Sequence, residues 1–390
     1  MKNFTYNIST KILFGKDQIK NLGKEILPYG KKILFLYGKN SIKKSGLYDE
    51  VIKNLKECGI ESVELFGVDP NPRIETVREG AKLCREHNLT LVLAVGGGST
   101  IDCAKAIAAQ SKYEGDLWED LYVNKKYELL KEALPVASIL TLAATGSEMN
   151  GNSVISNFEK NQKLSIGSDL LRPVFSILDP TYTFTVSKYQ TASGTVDIIS
   201  HLFEQYFSPD KKGYLESRLI EGLLKTVIHF GPKAYEFPDD YEARANLMWA
   251  SSLALNGLVT YGKESTDWAT HMIEHELSAK YDITHGVGLG ILTPYWMEYV
   301  LSPENVHRFV DYGKIVWKIP GTDPMDVAKK SIEITREFFN SLGIPEKLSE
   351  LGIDDTKFEE MALGATMNGP LGTMKKLYKE DVLNILKMAL

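Results

Sequence analysis

Short, wholly apolar segments alternate with longer amphipathic ones in the first half of this chain, and few folds admit that pattern. Lys32–Tyr37 (KILFLY) reads as a buried strand. Residues 47–58 then place Leu47, Val51, Ile52 and Leu55 at helical spacing and stop at Gly59, the residue expected just past a helix end. A second strand over 62–66 is closed by the breaker Asp69-Pro70-Asn71-Pro72, a helix follows over 74–87, and a third strand runs over 91–95. Strands without a polar face, joined through helices, belong to a parallel sheet covered on both sides. Residues 135–140, 153–158, 163–168 and 174–178 read as further strands, ending at Asp179-Pro180. From about residue 185 helical periodicity takes over, clearest over 195–206, 214–229, 241–256 and 267–279. The expected architecture is an α/β half over 1–184, followed by an all-helical half over 185–390. A chain of 390 residues is long enough for two cores.

Composition removes several function classes. Forty-five basic against 51 acidic residues leave a formal charge of −6, the wrong sign for a surface that neutralises nucleic-acid phosphates. No apolar run approaches the roughly 18 residues a membrane span requires. The first residues, MKNFTYNISTKILFGKD, lack the apolar centre of a signal peptide. Cys58, Cys84 and Cys103 are scattered without C-x-x-C spacing, so they read as reduced, mostly buried thiols of a cytoplasmic protein.

Residues 91–102, Leu-Val-Leu-Ala-Val-Gly-Gly-Gly-Ser-Thr-Ile-Asp, put three glycines between a buried strand and a helix expected over 99–109. Glycine lets the backbone approach a ligand with no Cβ in the way. The free amides and the positive end of the helix dipole favour a phosphate or pyrophosphate. Such a run alone is a weak signal that a mere tight turn also explains, and its spacing is not G-x-G-x-x-G. Its place at a strand's carboxyl end, where ligands of these sheets bind, favours the pyrophosphate. Asp102, one turn into the helix, is either a contact at the same site or an acid that stabilises the dipole. Gly38-Lys39-Asn40-Ser41 follows the first strand, where an acidic residue would accept the 2′-hydroxyl of adenosine ribose. None stands there. Lys39 and the Ser41 hydroxyl suit a 2′-phosphate instead, which favours NADP(H) over NAD(H) against a merely solvated loop.

Seven histidines are present, and four of them, all in the second half, stand beside chemically suggestive partners. Asp197 and His201 are four apart, as are His271 and His275, so each pair projects from one helix face. His285 follows after that second helix ends near 281–282. One carboxylate with imidazoles is the donor set of a zinc or iron site that leaves a position open for substrate. A lone histidine is more often structural, and pairs four apart are common on helix surfaces; two such pairs and a fifth group shift the balance to metal. Spacing leaves open which four of the five bind. Met272 stands where H-E-x-x-H requires glutamate, which argues against a metalloprotease.

With these residues the sequence resembles the group III, iron-containing alcohol dehydrogenase family, most closely its butanol dehydrogenase and NADPH-dependent aldehyde reductase members. The matching stretches are Phe14-Gly15, Asp69-Pro70-Asn71-Pro72, Ala94-Val-Gly-Gly-Gly-Ser99, Thr141-Leu-Ala-Ala-Thr-Gly-Ser-Glu148, Leu178-Asp-Pro180, Asp197-x-x-x-His201, and the spaced His271, His275 and His285. They extend over essentially the whole chain.

Carried over residue by residue, the resemblance implies Asp197, His201, His271 and His285 as metal ligands. It makes His275 the catalytic candidate, lining the active site beside them and relaying a proton. Gly97, Gly98 and Ser99 would hold the pyrophosphate, while Asn71, Thr141, Thr145, Asn152 and Lys163 would line the remaining cofactor cleft. The Gly38–Ser41 loop corresponds to a Gly-Gly-Gly-Ser loop in NADPH-using members, with Lys39 and Asn40 replacing two glycines. The resemblance further implies a homo-oligomer, a dimer or larger, with its site in the cleft between an N-terminal Rossmann-like, dinucleotide-binding domain over 1–184 and a C-terminal helical, metal-binding domain over 185–390.

The implied activity is a metal-dependent alcohol dehydrogenase or aldehyde reductase, moving hydride between NAD(P)H and small primary alcohols or aldehydes such as butanol and butanal. Iron and zinc both suit the donor set. A polyol (glycerol-type) dehydrogenase and a dehydroquinate synthase-like lyase are the rivals on this scaffold. The lyase would need a basic pocket, for which Lys263, Arg218 and Lys225 are candidates. A non-catalytic nucleotide-binding protein would have no use for the intact Asp-and-three-His set.

Overall fold

The computed structural model describes residues 1–209 and 212–390, and the chain forms two compact units. Asn7–Val186 with Pro238–Ser252 make one; Met1–Tyr6, Ser187–Phe237 and Leu253–Leu390 make the other.

The α/β unit contains eight strands: β1 Lys11–Phe14, β2 Lys32–Tyr37, β3 Glu61–Phe66, β4 Leu91–Gly96, β5 Val136–Leu140, β6 Asn152–Asn157, β7 Gln162–Gly167 and β8 Phe175–Leu178. Six of them form one sheet in the order β1-β8-β5-β4-β2-β3. Every neighbouring pair in it is parallel. The antiparallel pair β6 and β7 stands apart. Alternate residues of the central strands serve opposite cores. Leu34, Leu36, Val92 and Ala94 pack with Ile74, Val77 and Ile101, whereas Ile33, Phe35, Leu91, Leu93 and Val95 pack with Val51 and Leu55. Helices therefore cover both faces, as the uninterrupted apolar strands require. Strand β1 escaped the sequence reading because only Leu13 of its four residues is buried. Pairing with β8, 160 residues later in the chain, is what makes it a strand.

Strand order reverses between β2 and β4: the chain leaves β2 for β3 on one flank and returns to β4 on the other. Such a reversal opens a crevice at the carboxyl ends of the strands. Both polar loops singled out in the sequence, Gly38–Ser41 after β2 and Gly97–Ser99 after β4, lie at that reversal.

Two stretches sit across the expected division at 184/185. Helix Tyr241–Leu255 begins in the α/β unit, with Met248 in that unit's core and the Trp249 ring 5.9 Å from Phe14. Residues 1–6 belong with the helical unit. Helical periodicity identifies an apolar face but not the core it will join.

At the centre of the helical unit lies helix Lys188–Tyr206, whose residues from Thr191 onward are all buried. It starts earlier than its apolar pattern because Ser187 caps it, accepting from the Gln190 amide at 3.2 Å. Helix Tyr214–Glu236 likewise continues past its apolar pattern, through Pro232. Helix His285–Val300 crosses the central helix in close contact. A side-chain methyl at Gly286 would overlap the Ser193 carbonyl, and one at Gly290 would lie 3.1 Å from Val196 Cγ1. Glycine at these positions sets how near His285 comes to the Asp197 turn. Gly286→Ala is expected to destabilise the folded chain by about 1–3 kcal/mol through overpacking. Chemical denaturation, with wild-type stability as the overturning result, measures this.

Candidate functional site

The central helix presents Asp197 and His201 one turn apart, and helix Ala269–Tyr281 contributes His271. Their donor atoms all lie within 4.8 Å of one another. Nδ1 of His201 is 3.5 Å from Asp197 Oδ1, and the His201 and His271 rings are 4.7 Å apart. Helix Ala269–Tyr281 ends at Asp282 in the left-handed region, φ 50°, and the returning chain starts a new helix at His285. That turn brings His285 Nε2 to 3.7 Å from Asp197 Oδ1. His275, one turn beyond His271, gathers instead with Glu274 and His285, its ring 5.8 Å from that of His285. All five expected residues are thus brought together, and four are at least nine-tenths buried, His285 being partly open.

Three donor atoms in this cluster, Asp197 Oδ1, His201 Nδ1 and His271 Nε2, are buried with no hydrogen-bond partner among the described residues. Each such orphan costs about 1–3 kcal/mol. A divalent cation between them satisfies all three at once, so the residues fit a metal. Burial lowers the His201 pKa to about 4, outweighing the attraction of Asp197, so the imidazole is neutral and able to donate a lone pair.

Two buried glutamates, absent from the sequence reading, stand behind the imidazoles. Glu204 Oε1 accepts from His271 Nδ1 at 2.8 Å, from the His271 amide at 3.0 Å and from the Thr270 hydroxyl, while Oε2 accepts from the Trp268 amide at 2.7 Å. Burial pushes the Glu204 carboxyl up, but the hydrogen bonds and charge from His271 and the bond from Thr270 hold it, on balance, below the usual carboxylate range. A carboxylate only accepts, so the shared proton sits on His271 Nδ1 and the Nε2 lone pair faces Asp197 and His201. Glu274 meets His285 Nδ1 in the same way and also accepts from the Ser278 hydroxyl. The signal was present: Glu204 is seven residues after Asp197 and Glu274 three after His271, each on the ligand-bearing face of its helix.

The nucleotide-site candidates all lie in the α/β unit. Gly97 caps helix Gly98–Lys112, and the glycine run leaves β4 directly. A methyl on Gly98 would overlap Thr145 Oγ1, so that position admits only hydrogen. Ser99 donates to the Pro70 carbonyl, and the Thr141 amide donates to the Gly96 carbonyl at 3.0 Å. These bonds tie the β3, β4 and β5 loops to each other. Asn71 and Lys163 are buried, and Asn152 opens β6. The Asp102 carboxylate accepts from the Ser147 hydroxyl and from the Val154 amide at 3.0 Å, so it braces the neighbouring loops. Asn40 and Ser41 begin a helical turn, while Lys39 Nζ pairs with Asp69 Oδ1 at 3.0 Å and Arg73 holds the other oxygen at 3.0 Å. Two of the three basic candidates for a lyase pocket are engaged elsewhere, Lys263 donating to the Gln205 carbonyl and Arg218 pairing with Glu221, and Lys225 is exposed on its helix.

A family model described as iron-containing alcohol dehydrogenase matches residues 9–180, and one for the C-terminal part of the Fe-containing alcohol dehydrogenase family matches residues 191–390. The chain belongs to the iron-containing alcohol dehydrogenase family. This member is 54% identical over 390 residues to NADH-dependent butanol dehydrogenase A of Clostridium acetobutylicum, with 99% of each chain covered. It is 40% identical over 357 residues to the NADPH-dependent aldehyde reductase YqhD of Escherichia coli, covering 91% of this chain and 90% of that one. A crystal structure of NADH-dependent butanol dehydrogenase A from Thermotoga maritima matches with a TM-score of 0.95 at 41% identity, covering 100% of this chain and 99% of that one. The expected order of an α/β half and then a helical half is the family's own. Alcohol dehydrogenase or aldehyde reductase chemistry, with a nicotinamide dinucleotide and a divalent metal, is accordingly its class. No described helix is long and apolar enough to cross a membrane.

Gly98→Ala is expected to raise the Kd for dinucleotide about tenfold or more, about 1.4 kcal/mol, because the loop must shift away from Thr145. Fluorescence titration of NADH checks this; unchanged affinity would remove the loop from the binding site.

Proposed function

We propose that this chain transfers hydride reversibly between NADH and short primary alcohol–aldehyde pairs, butanol and butanal foremost, at a single metal bound by Asp197, His201, His271 and His285. The observation that carries this is the buried set of orphaned donor atoms, with the His285 ring beside it. Iron or zinc there would supply Lewis acidity at the substrate oxygen, while the nicotinamide carries the hydride. His201, neutral through burial, donates a lone pair, and Asp197 supplies the one negative charge among the four ligands. His275 receives or returns the alcohol proton as the catalytic relay. Gly97, Gly98 and Ser99 hold the pyrophosphate at the helix N-terminus, Gly38–Ser41 receive the adenosine ribose, and Asn71, Thr141, Thr145, Asn152 and Lys163 line the remainder. Asp102 braces this loop cluster through Ser147 and Val154. Butanol is favoured by the names of the relatives.

The sequence favours NADP(H) because Lys39 and Ser41 suit a 2′-phosphate. Two observations favour NADH instead. Lys39 is already paired with Asp69, whose carboxylate, although also held by Arg73, is an acceptor of the kind that a ribose hydroxyl needs. The relative at 54% identity is named NADH-dependent. The proposal extends to a cytoplasmic homodimer, in keeping with three free thiols.

Asp197→Ala is expected to bring bound metal and butanal reduction to background; full activity in a metal-free Asp197→Ala protein ends the proposal. His275→Ala should slow turnover while metal content stays near wild type, and loss of the metal would instead make His275 a ligand. Steady-state kinetics should give kcat/KM for NADH at least about tenfold above NADPH, a difference of about 1.4 kcal/mol. Asp69→Ser, which releases Lys39, should narrow that ratio; a starting preference for NADPH would reverse the assignment.

A further inference from the structure

We propose that Glu204 and Glu274 are positioning residues that set metal affinity by clamping the three ligand-bearing segments to one another. This rests on the ligand assignment proposed above.

The clamps form a chain of contacts. Glu204 shares the central helix with Asp197 and His201, and reaches across to His271. Glu274 shares the next helix with His271, and reaches across to His285. Each ligand-bearing segment is therefore joined to the following one by a carboxylate on the Nδ1 of its imidazole. Exposure of the two side chains is 1% and 0%. Glu204 also takes the amides of Trp268 and His271 and the Thr270 hydroxyl, so a single side chain fixes the entry of helix Ala269–Tyr281. That entry is strained: Trp268 sits at φ 70°, a left-handed conformation unfavourable for a bulky side chain. Its amide bond to Glu204 helps to hold it there.

Two physical consequences follow from a carboxylate at Nδ1. It fixes the tautomer, so the ring presents Nε2 without paying to relocate a proton. It also makes the imidazole more electron-rich and stops it rotating. Removing such a partner ordinarily weakens metal binding about 10–100-fold. Glutamine preserves shape and leaves one acceptor oxygen while removing the charge.

The test uses full-length protein stripped of metal and refilled with Co(II) or Zn(II). Affinity is measured by chelator competition, the cobalt absorption band reports ligand geometry, and circular dichroism reports folding. Glu204→Gln and Glu274→Gln are each expected to weaken Zn(II) and Co(II) binding about 10–100-fold and to shift the cobalt band, with folding of the metal-free protein retained. A merely structural role would lower thermal stability equally with and without metal and leave affinity and band position alone. Wild-type affinity in both folded variants overturns the inference. Should Glu204→Gln fail to fold, Glu274→Gln decides it, since that side chain meets the His285 ring and the Ser278 hydroxyl rather than a strained left-handed entry. A measurement on unmutated, zinc-loaded protein is independent of folding: 15N-histidine spectra should show Nδ1–H on His271 and His285, and Nε2–H on either overturns the inference. Asp197→Ala in the same titration separates the two claims. Retained affinity there defeats the ligand assignment; lost affinity there, with both glutamine variants binding normally, defeats only the clamps.

Discussion

Three buried donor atoms that face one another without a hydrogen-bond partner are the constraint around which the helical unit is arranged. Folding gains nothing from such a cluster until a cation fills it, because each desolvated polar atom is a cost. The surrounding structure holds the cluster by burial and by carboxylates. The central helix is covered along almost its entire length, which keeps water from the orphaned atoms. Glu204 and Glu274 hold two of the rings from behind, and the glycines of helix His285–Val300 let it approach near enough for His285 to reach Asp197. A positive charge at the centre would relieve the orphaned donors and the charge of Asp197, and would thereby couple metal binding to the stability of this unit.

The α/β unit solves a different problem with the same economy of parts. Its glycine run is held rigid by its neighbours. Lys105, wholly buried, donates to the Ser147 hydroxyl at 2.7 Å, to Asn150 at 3.1 Å and to the Asn152 carbonyl at 2.7 Å. Burial lowers its pKa to about 8 against the opposing pull of Asp102 and Glu148. Asp102 closes the other side through Ser147 and Val154. The loop after β5 is thereby fixed against the helix after β4, and Thr145 is left pressed against Gly98, where no larger residue fits.

Much of this was legible from residues alone, and the misses share a cause. The strands of KILFLY and LVLAVG type, the glycine run and the His-x-x-x-His spacing are local patterns, set by periodicities that the backbone geometry imposes. Strand β1, Lys39 with Asp69, and the two glutamates behind the imidazoles depend on partners that the sequence does not place beside them. Glu204 could have been noticed, since it continues the Asp197–His201 face by one more turn, but an acid on a helix is far more often solvated than buried.

The sequence by itself determined most of the strands and helices, which half carries the glycine run, and which residue types could hold a metal. Those properties reside in side-chain chemistry and in spacing along one element. Only the tertiary structure decided that helix Tyr241–Leu255 begins in the α/β unit, that His275 gathers with Glu274 and His285, and that Glu204 backs His271 while Glu274 backs His285. Those depend on which faces meet across elements far apart in the chain, and packing fixes that where periodicity cannot.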